Sequence, residues 1–243
     1  MPKRFVSPVL ALAVALPLAA DAPAGTWRLD PQRSVFAVLT HRAGLAARLA
    51  HDHLVVAVGA AAALDFDPER PEAARFAARA NVLALEIDAP AARAELGPRL
   101  VELGALAAPL PTVDPDDRVK VRAAMLARDQ LDAEDYPEIA GELVGLAPRA
   151  GGGGSGPLAA LDWDARVRLT VRGRTVERTV PVRWRVADGE LTAEAVGDFR
   201  FSEFGITPYS RFLGAVANED LFQLYVRLVA RRAPADAASG LSG

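Results

Sequence analysis

The three histidines of the chain, His41, His51 and His53, fall in one short stretch. Imidazole titrates near neutral pH and is the commonest metal-ligating side chain. In an extended segment His51 and His53 project to the same side, with Cα atoms about 6.5 Å apart. Two imidazoles so placed can share a metal ion, with His41 from a neighbouring strand as a third ligand. Asp52 then faces the other way. The plainer reading is that the histidines form hydrogen bonds at the rim of a sheet, where strand ends need polar partners. No metal is assigned on that reading, and His41, His51 and His53 stand as the alternative set.

Other candidates for chemistry are sparse. Ser34, Ser202 and Ser210 sit in no nucleophile-elbow motif. The acidic pairs Asp116-Asp117 and Glu134-Asp135 read as capping or turn features. Gly151 to Gly154 lacks the Lys-Ser/Thr of a phosphate loop. The chain has no cysteine, which excludes disulfides, thiol catalysis and thiolate metal sites. Its 28 basic and 31 acidic residues are scattered, with no basic run to track a phosphate backbone, so nucleic acid is excluded as a partner. These residues assemble no catalytic constellation. Apolar binding is better represented. Phe199, Phe201 and Phe204 read as pocket walls, joined by Phe36 and Val38, with Tyr209 and Arg211 as polar anchors.

The elements that must position these residues are mostly strands. Val35, Ala37 and Leu39 alternate with Phe36, Val38 and Thr40, a strand apolar on both faces. His51 to Asp67 is a second long run, closed by Asp67-Pro68, with Phe76 to Asp88 as its hairpin partner. Pro90 to Leu106 has leucines at helical spacing, but Gly97-Pro98 predicts a short or broken helix there. Asp114 and Pro115 predict a helix start, running to about Asp129 and burying Val121, Ala124 and Met125. A strand then follows Tyr136-Pro137 through Leu143. Ala150 to Pro157 reads as a glycine-rich loop within one domain.

The last third alternates cleanly. Val167, Leu169 and Val171 lead to a turn at Arg172-Gly173-Arg174, and Val176, Val180, Val182, Trp184 and Val186 return to a turn at Asp188-Gly189. Leu191 to Phe201 and Phe222 to Ala230 continue the pattern. The count is roughly eight antiparallel strands with one helical excursion, and such a sheet removes its edges by closing into a barrel. Eight strands leave room for side chains or one slender ligand. Ala57, Gly59, Ala61 and Ala63 are the small residues expected to make that room.

The amino terminus reads as a leader. Lys3-Arg4 precedes an apolar run from Phe5 to Leu18 and small residues to Ala24. Residues 1–24 are thus expected to be a signal peptide cleaved near 20 or 24, residues 25–233 a barrel domain, and residues 234–243 a frayed tail. Location is then periplasmic or secreted. No second apolar run approaches the roughly 20 residues of a membrane span, so an integral membrane protein is not expected.

The chain also resembles the YceI-like family. The resemblance is carried by Trp27-Arg28-Leu29-Asp30-Pro31 leading to Ser34-Val35-Phe36, and by Ala43-Gly44-Leu45 leading to His51-Asp52-His53. It continues through Leu131-Asp132, Tyr136-Pro137-Glu138-Ile139, Leu169 to Gly173, and Phe199 to Ile206. It implies a lipocalin-like barrel, and a tunnel for a long apolar lipid such as a polyisoprenoid, an isoprenoid quinone or a fatty amide. The chain looks like a subgroup that carries a His-Asp-His element. The function so implied is carriage of that lipid, with no cofactor beyond it. Two alternatives remain: a histidine- or metal-dependent enzyme acting on a lipid or quinone, and a quinone-binding module for a membrane electron-transfer partner. Whether the barrel forms a homodimer stays open.

Overall fold

The computed structural model describes residues 27–44, 51–150, 161–211 and 216–232. The expected leader, all but the edge of the glycine loop, and the tail lie outside the described residues.

Twelve strands and two helices make up this part of the chain. They are β1 (Trp27–Leu29), β2 (Val35–Ala43), β3 (His53–Ala57), β4 (Ala61–Asp65), β5 (Arg75–Asn81), β6 (Leu85–Ile87), α1 (Pro90–Glu102), α2 (Pro115–Leu126), β7 (Glu138–Pro148), β8 (Trp163–Val171), β9 (Arg174–Ala187), β10 (Glu190–Arg200), β11 (Ser210–Arg211) and β12 (Val216–Arg232).

All pairings are antiparallel, in the order β4-β5-β7-β8-β9-β10-β12-β2-β3-β6. The two ends of that path belong to one hairpin. β3 continues into β4 across Val58 to Ala60, and β5 continues into β6 across a 3₁₀ turn at Val82–Ala84. β4 pairs with β5, and β3 pairs with β6. The ring therefore closes on eight staves, two of them bent, which is how an antiparallel sheet disposes of its edges. Twelve segments arise where roughly eight strands were expected because those two staves break and because β1 and β11 add short pieces beside β12.

Local sequence explains the hairpins. Arg172-Gly173 and Asp188-Gly189 each place two consecutive residues at positive φ, 50° and 67° in the first and 52° and 74° in the second. Such turns match the right-handed twist of the strands they join. β7 runs past the expected Leu143 to Pro148 because a bulge between Leu143 and Gly145 lets pairing with β8 resume.

The double-faced hydrophobicity of β2 has a structural cause. Phe36, Val38 and Thr40 face the barrel interior, while Ala37 and Leu39 point out and are buried under α1 by Leu96 and Leu100. Tyr225 of β12 and Leu54 of β3 belong to the same outer core. Contrary to the expectation from Gly97-Pro98, α1 is one continuous helix with Pro98 inside it. Pro98 lies on the exposed face, and burial of Leu96 and Leu100 sustains the helix across the missing N–H. The leucine-rich segment thus covers the outer wall.

Ion pairing fastens α1 to that wall. Glu194 of β10 accepts hydrogen bonds from Arg99 Nε at 2.8 Å, Arg183 Nη2 at 2.8 Å and the Tyr225 hydroxyl at 2.9 Å. Burial pushes the Glu194 carboxyl up, but hydrogen bonds from Arg99 and Tyr225 and the two guanidinium charges outweigh it and hold it below its usual range.

α2 starts as its sequence predicts, with Asp114 Oδ1 accepting the Asp116 N–H at 2.8 Å and Pro115 in the first turn. It ends at Leu126, short of Asp129, and buries no residue fully. Val121, Ala124 and Met125 are half-buried and face the barrel interior, and Met125, with Leu126, also packs against the small core of Val82, Leu85 and Ala133.

Candidate functional site

The ring of staves encloses a cavity of about 1160 Å³. That exceeds the roughly 300–1,000 Å³ common for small-ligand pockets. Inward alternation builds its wall from Val167, Leu169, Val180, Val182, Leu224 and Val226, among others. At one end Phe66, Trp184 and Leu191 close it, with the Phe66 and Trp184 rings edge to face at 4.9 Å. Trp27 secures this floor by donating its indole N–H to the Phe66 carbonyl at 2.9 Å. At the other end stand α2, Phe201, Tyr209, Asn218, His51 and His53.

Small inward residues keep the interior open: Ala57, Ala78, Ala165, Ala195, Gly141 and Gly197. A Cβ at Gly197 would collide with Val180. Of the four small residues expected to make room, only Ala57 lines the cavity; Ala61 and Ala63 are exposed. The break at Val58 to Ala60, with Gly59 at φ 65°, switches the inward positions from His53, Val55 and Ala57 to Ala60 and Leu64.

Seven of the eight candidate ligand residues lie on the cavity wall: Phe36, Val38, His51, His53, Phe201, Phe204 and Tyr209. Phe199 does not. It is 0% exposed, with Phe222 and Phe204 ring centroids at 5.8 and 6.3 Å and the Arg178 guanidinium over its ring at 5.7 Å. The side chain of Arg211 lies outside the described residues.

The histidines divide. His53 stands directly opposite Thr40 across β2 and β3, so the two share the inward face. His41, one residue further along β2, projects outward, its Nε2 3.3 Å from Gln223 Oε1. His41 and His53 therefore lie on opposite sides of the barrel wall and cannot share an ion. Among the described residues no group of His, Cys, Asp or Glu is arranged to hold a metal. Two of the three serines serve structure: Ser34 bonds the Val229 backbone, and Ser202 donates to Asp220 at 2.7 Å.

Sequence reading missed the partners of His53. Its Nδ1 lies 2.6 Å from Asp88 Oδ2. Asp88 Oδ1 accepts the Leu54 N–H at 2.9 Å and a hydrogen bond from the Arg93 guanidinium. Arg93 is held in turn by the Pro111 carbonyl at 2.7 Å and the Asp52 carbonyl at 3.1 Å. Asp88 and Arg93 are 1% and 4% exposed. Burial pushes the Asp88 carboxyl up, yet His53, the Leu54 N–H and Arg93 together bring it below its usual value. The available signal was an acid ending a strand just before Pro90, with an arginine one turn into the helix that follows.

A profile of the YceI-like domain family matches residues 27–230. Among solved structures, BcnA of Burkholderia cenocepacia is similar at a TM-score of 0.57 and 16% identity, over 83% of this chain and 99% of that one. A mutant YceI protein of Campylobacter jejuni, solved with a monobromobimane guest, is similar at a TM-score of 0.50 and 11% identity, over 74% of this chain and 85% of that one. At these identities the likeness is one of fold. No curated protein sequence matches the chain.

Proposed function

The chain belongs to the YceI-like domain family, and from that premise we propose that it carries one long apolar lipid inside the barrel. The observation that carries this reading is the cavity itself: about 1160 Å³ with an almost wholly apolar wall, closed by tryptophan and phenylalanine at one end and roofed by α2 at the other. Removing apolar surface from water contributes roughly 25 cal/mol per Å², set against the cost of ordering the lipid. A chain of many methylenes is therefore held without any ionic contact. A polyisoprenoid, an isoprenoid quinone or a fatty amide fits this description. Among the described residues no helix is long and apolar enough to cross a membrane.

Export to the periplasm or beyond is part of the proposal. It is supported by the leader-like order of Lys3-Arg4, the apolar run to Leu18 and the small residues to Ala24. The carrier reading is tested by filling the cavity. Ala195→Trp places a large ring in the middle of the wall, and the expected variant folds but co-purifies with little lipid. A folded variant with the wild-type lipid content contradicts the reading.

A further inference from the structure

The polar groups at the α2 end of the cavity are matched to one kind of lipid head. Thr40 is 6% exposed and lines the cavity, and its Oγ1 is buried with no hydrogen-bond partner among the described residues. A hydroxyl taken out of water without a partner is unfavourable, and an oxygen or nitrogen brought in by a ligand relieves it. His53, its directly opposed cross-strand neighbour, lines the same space. Side chains in that relation have Cβ atoms about 4.5–5.5 Å apart, close enough to hold one ligand atom between them.

The proton on His53 is placed by what lies behind it. Asp88 is buried against the Arg93 guanidinium and the Leu54 N–H, so it stands as a carboxylate that only accepts. Its Oδ2, 2.6 Å from His53 Nδ1, therefore accepts a hydrogen bond from that nitrogen, which carries the proton. Asp88 and Arg93 already balance each other in charge, so a neutral imidazole leaves the buried cluster neutral. In that tautomer Nε2 carries a lone pair and no hydrogen.

We infer that Thr40 and His53 form a head-group subsite for a lipid hydroxyl, an alcohol or phenol, whose O–H donates to His53 Nε2 while its oxygen accepts from Thr40 Oγ1. A carbonyl or ether oxygen satisfies Thr40 alone, and a bare hydrocarbon satisfies neither. Among the described residues, Arg93 and Lys120, the cations that could meet a phosphate head here, are engaged elsewhere. Arg93 is committed to Asp88 and two carbonyls, and Lys120 is paired with Asp117 at 2.8 Å. Asp88 and Arg93 are positioning residues that set the tautomer and aim of His53. The subsite rests on the carrier reading and adds selectivity to it.

The test uses the purified protein stripped of lipid and three probes of equal chain length: hexadecanol, its methyl ether and hexadecane. Each competes against a fluorescent apolar dye. Wild type is expected to favour the alcohol over the ether by about tenfold, the scale of one buried hydrogen bond, and the ether over the hydrocarbon. His53→Phe should erase the alcohol–ether difference alone. Thr40→Val, nearly equal in shape and safer for folding, should bring both oxygen-bearing probes towards the hydrocarbon. Equal affinity for all three in wild type overturns the subsite and leaves the carrier standing. Binding of none overturns both.

Discussion

The two helices are nearly equal in length and adjacent in the chain, yet they answer different needs. α1 presses Leu96 and Leu100 into the outer wall of β2, β3 and β12 and is pinned there by Arg93 and Arg99. α2 buries nothing fully; Met125 and Leu126 touch a small core, while Val121 and Ala124 look into a cavity that the protein does not fill. Apolar residues at helical spacing were present in both. In α1 the protein supplies the partner, and for Val121 and Ala124 of α2 the partner is space. One helix is therefore tied to stability and the other to occupancy.

The largest expected effect lies on the side of the cavity. Phe201→Arg puts a charge on the wall beneath the α2 end, and a folded variant should lose its lipid entirely, measured by extraction and chromatography. Retained lipid in that variant removes Phe201 from the ligand's path. Next comes Leu100→Ala in α1, expected to lower unfolding free energy by about 2–5 kcal/mol in denaturant titration. A loss below about 1 kcal/mol would mean that α1 is not the anchored helix.

Acid should act on the same side. Asp88 and Glu194 have folded pKa values below their unfolded ones. Their contribution is complete above the unfolded carboxylate value of about 4 and is lost as pH falls through the lower folded values. Thermal midpoints should therefore decline below about pH 4, and less steeply in Glu194→Gln than in wild type. The smallest stability effect is expected for Val121→Ala in α2, about 1 kcal/mol or less in lipid-free protein. The same change should speed lipid release, followed by dye exchange. A large loss of stability in lipid-free Val121→Ala would erase the contrast between the helices.

How much was legible follows from the same contrast. The hairpins at Arg172-Gly173 and Asp188-Gly189 and the inward faces of β8 and β10 are local properties, set by turn chemistry and a period of two. The long hairpin from His53 to Ile87 was legible as two runs, but not its break at Val58 to Ala60, because one displaced residue leaves the composition unchanged. Phe36 and Val38 were named as pocket walls on β2, but the reason that Ala37 and Leu39 opposite them are apolar too was not legible, since it is burial under α1. Continuity of α1 through Pro98 depended on a wall far away in sequence. The site was half legible. His53 was found as one of three histidines in a short stretch, whereas Asp88 and Arg93 reach it only through the closure of β3 on β6.

Native mass spectrometry of the protein as purified, with solvent extraction of the same sample, tests the central claim most directly. The account predicts a single long-chain lipid bound one to one and recovered in the extract. A protein of bare polypeptide mass with an empty extract, which also takes up no long-chain lipid when one is offered, would contradict it.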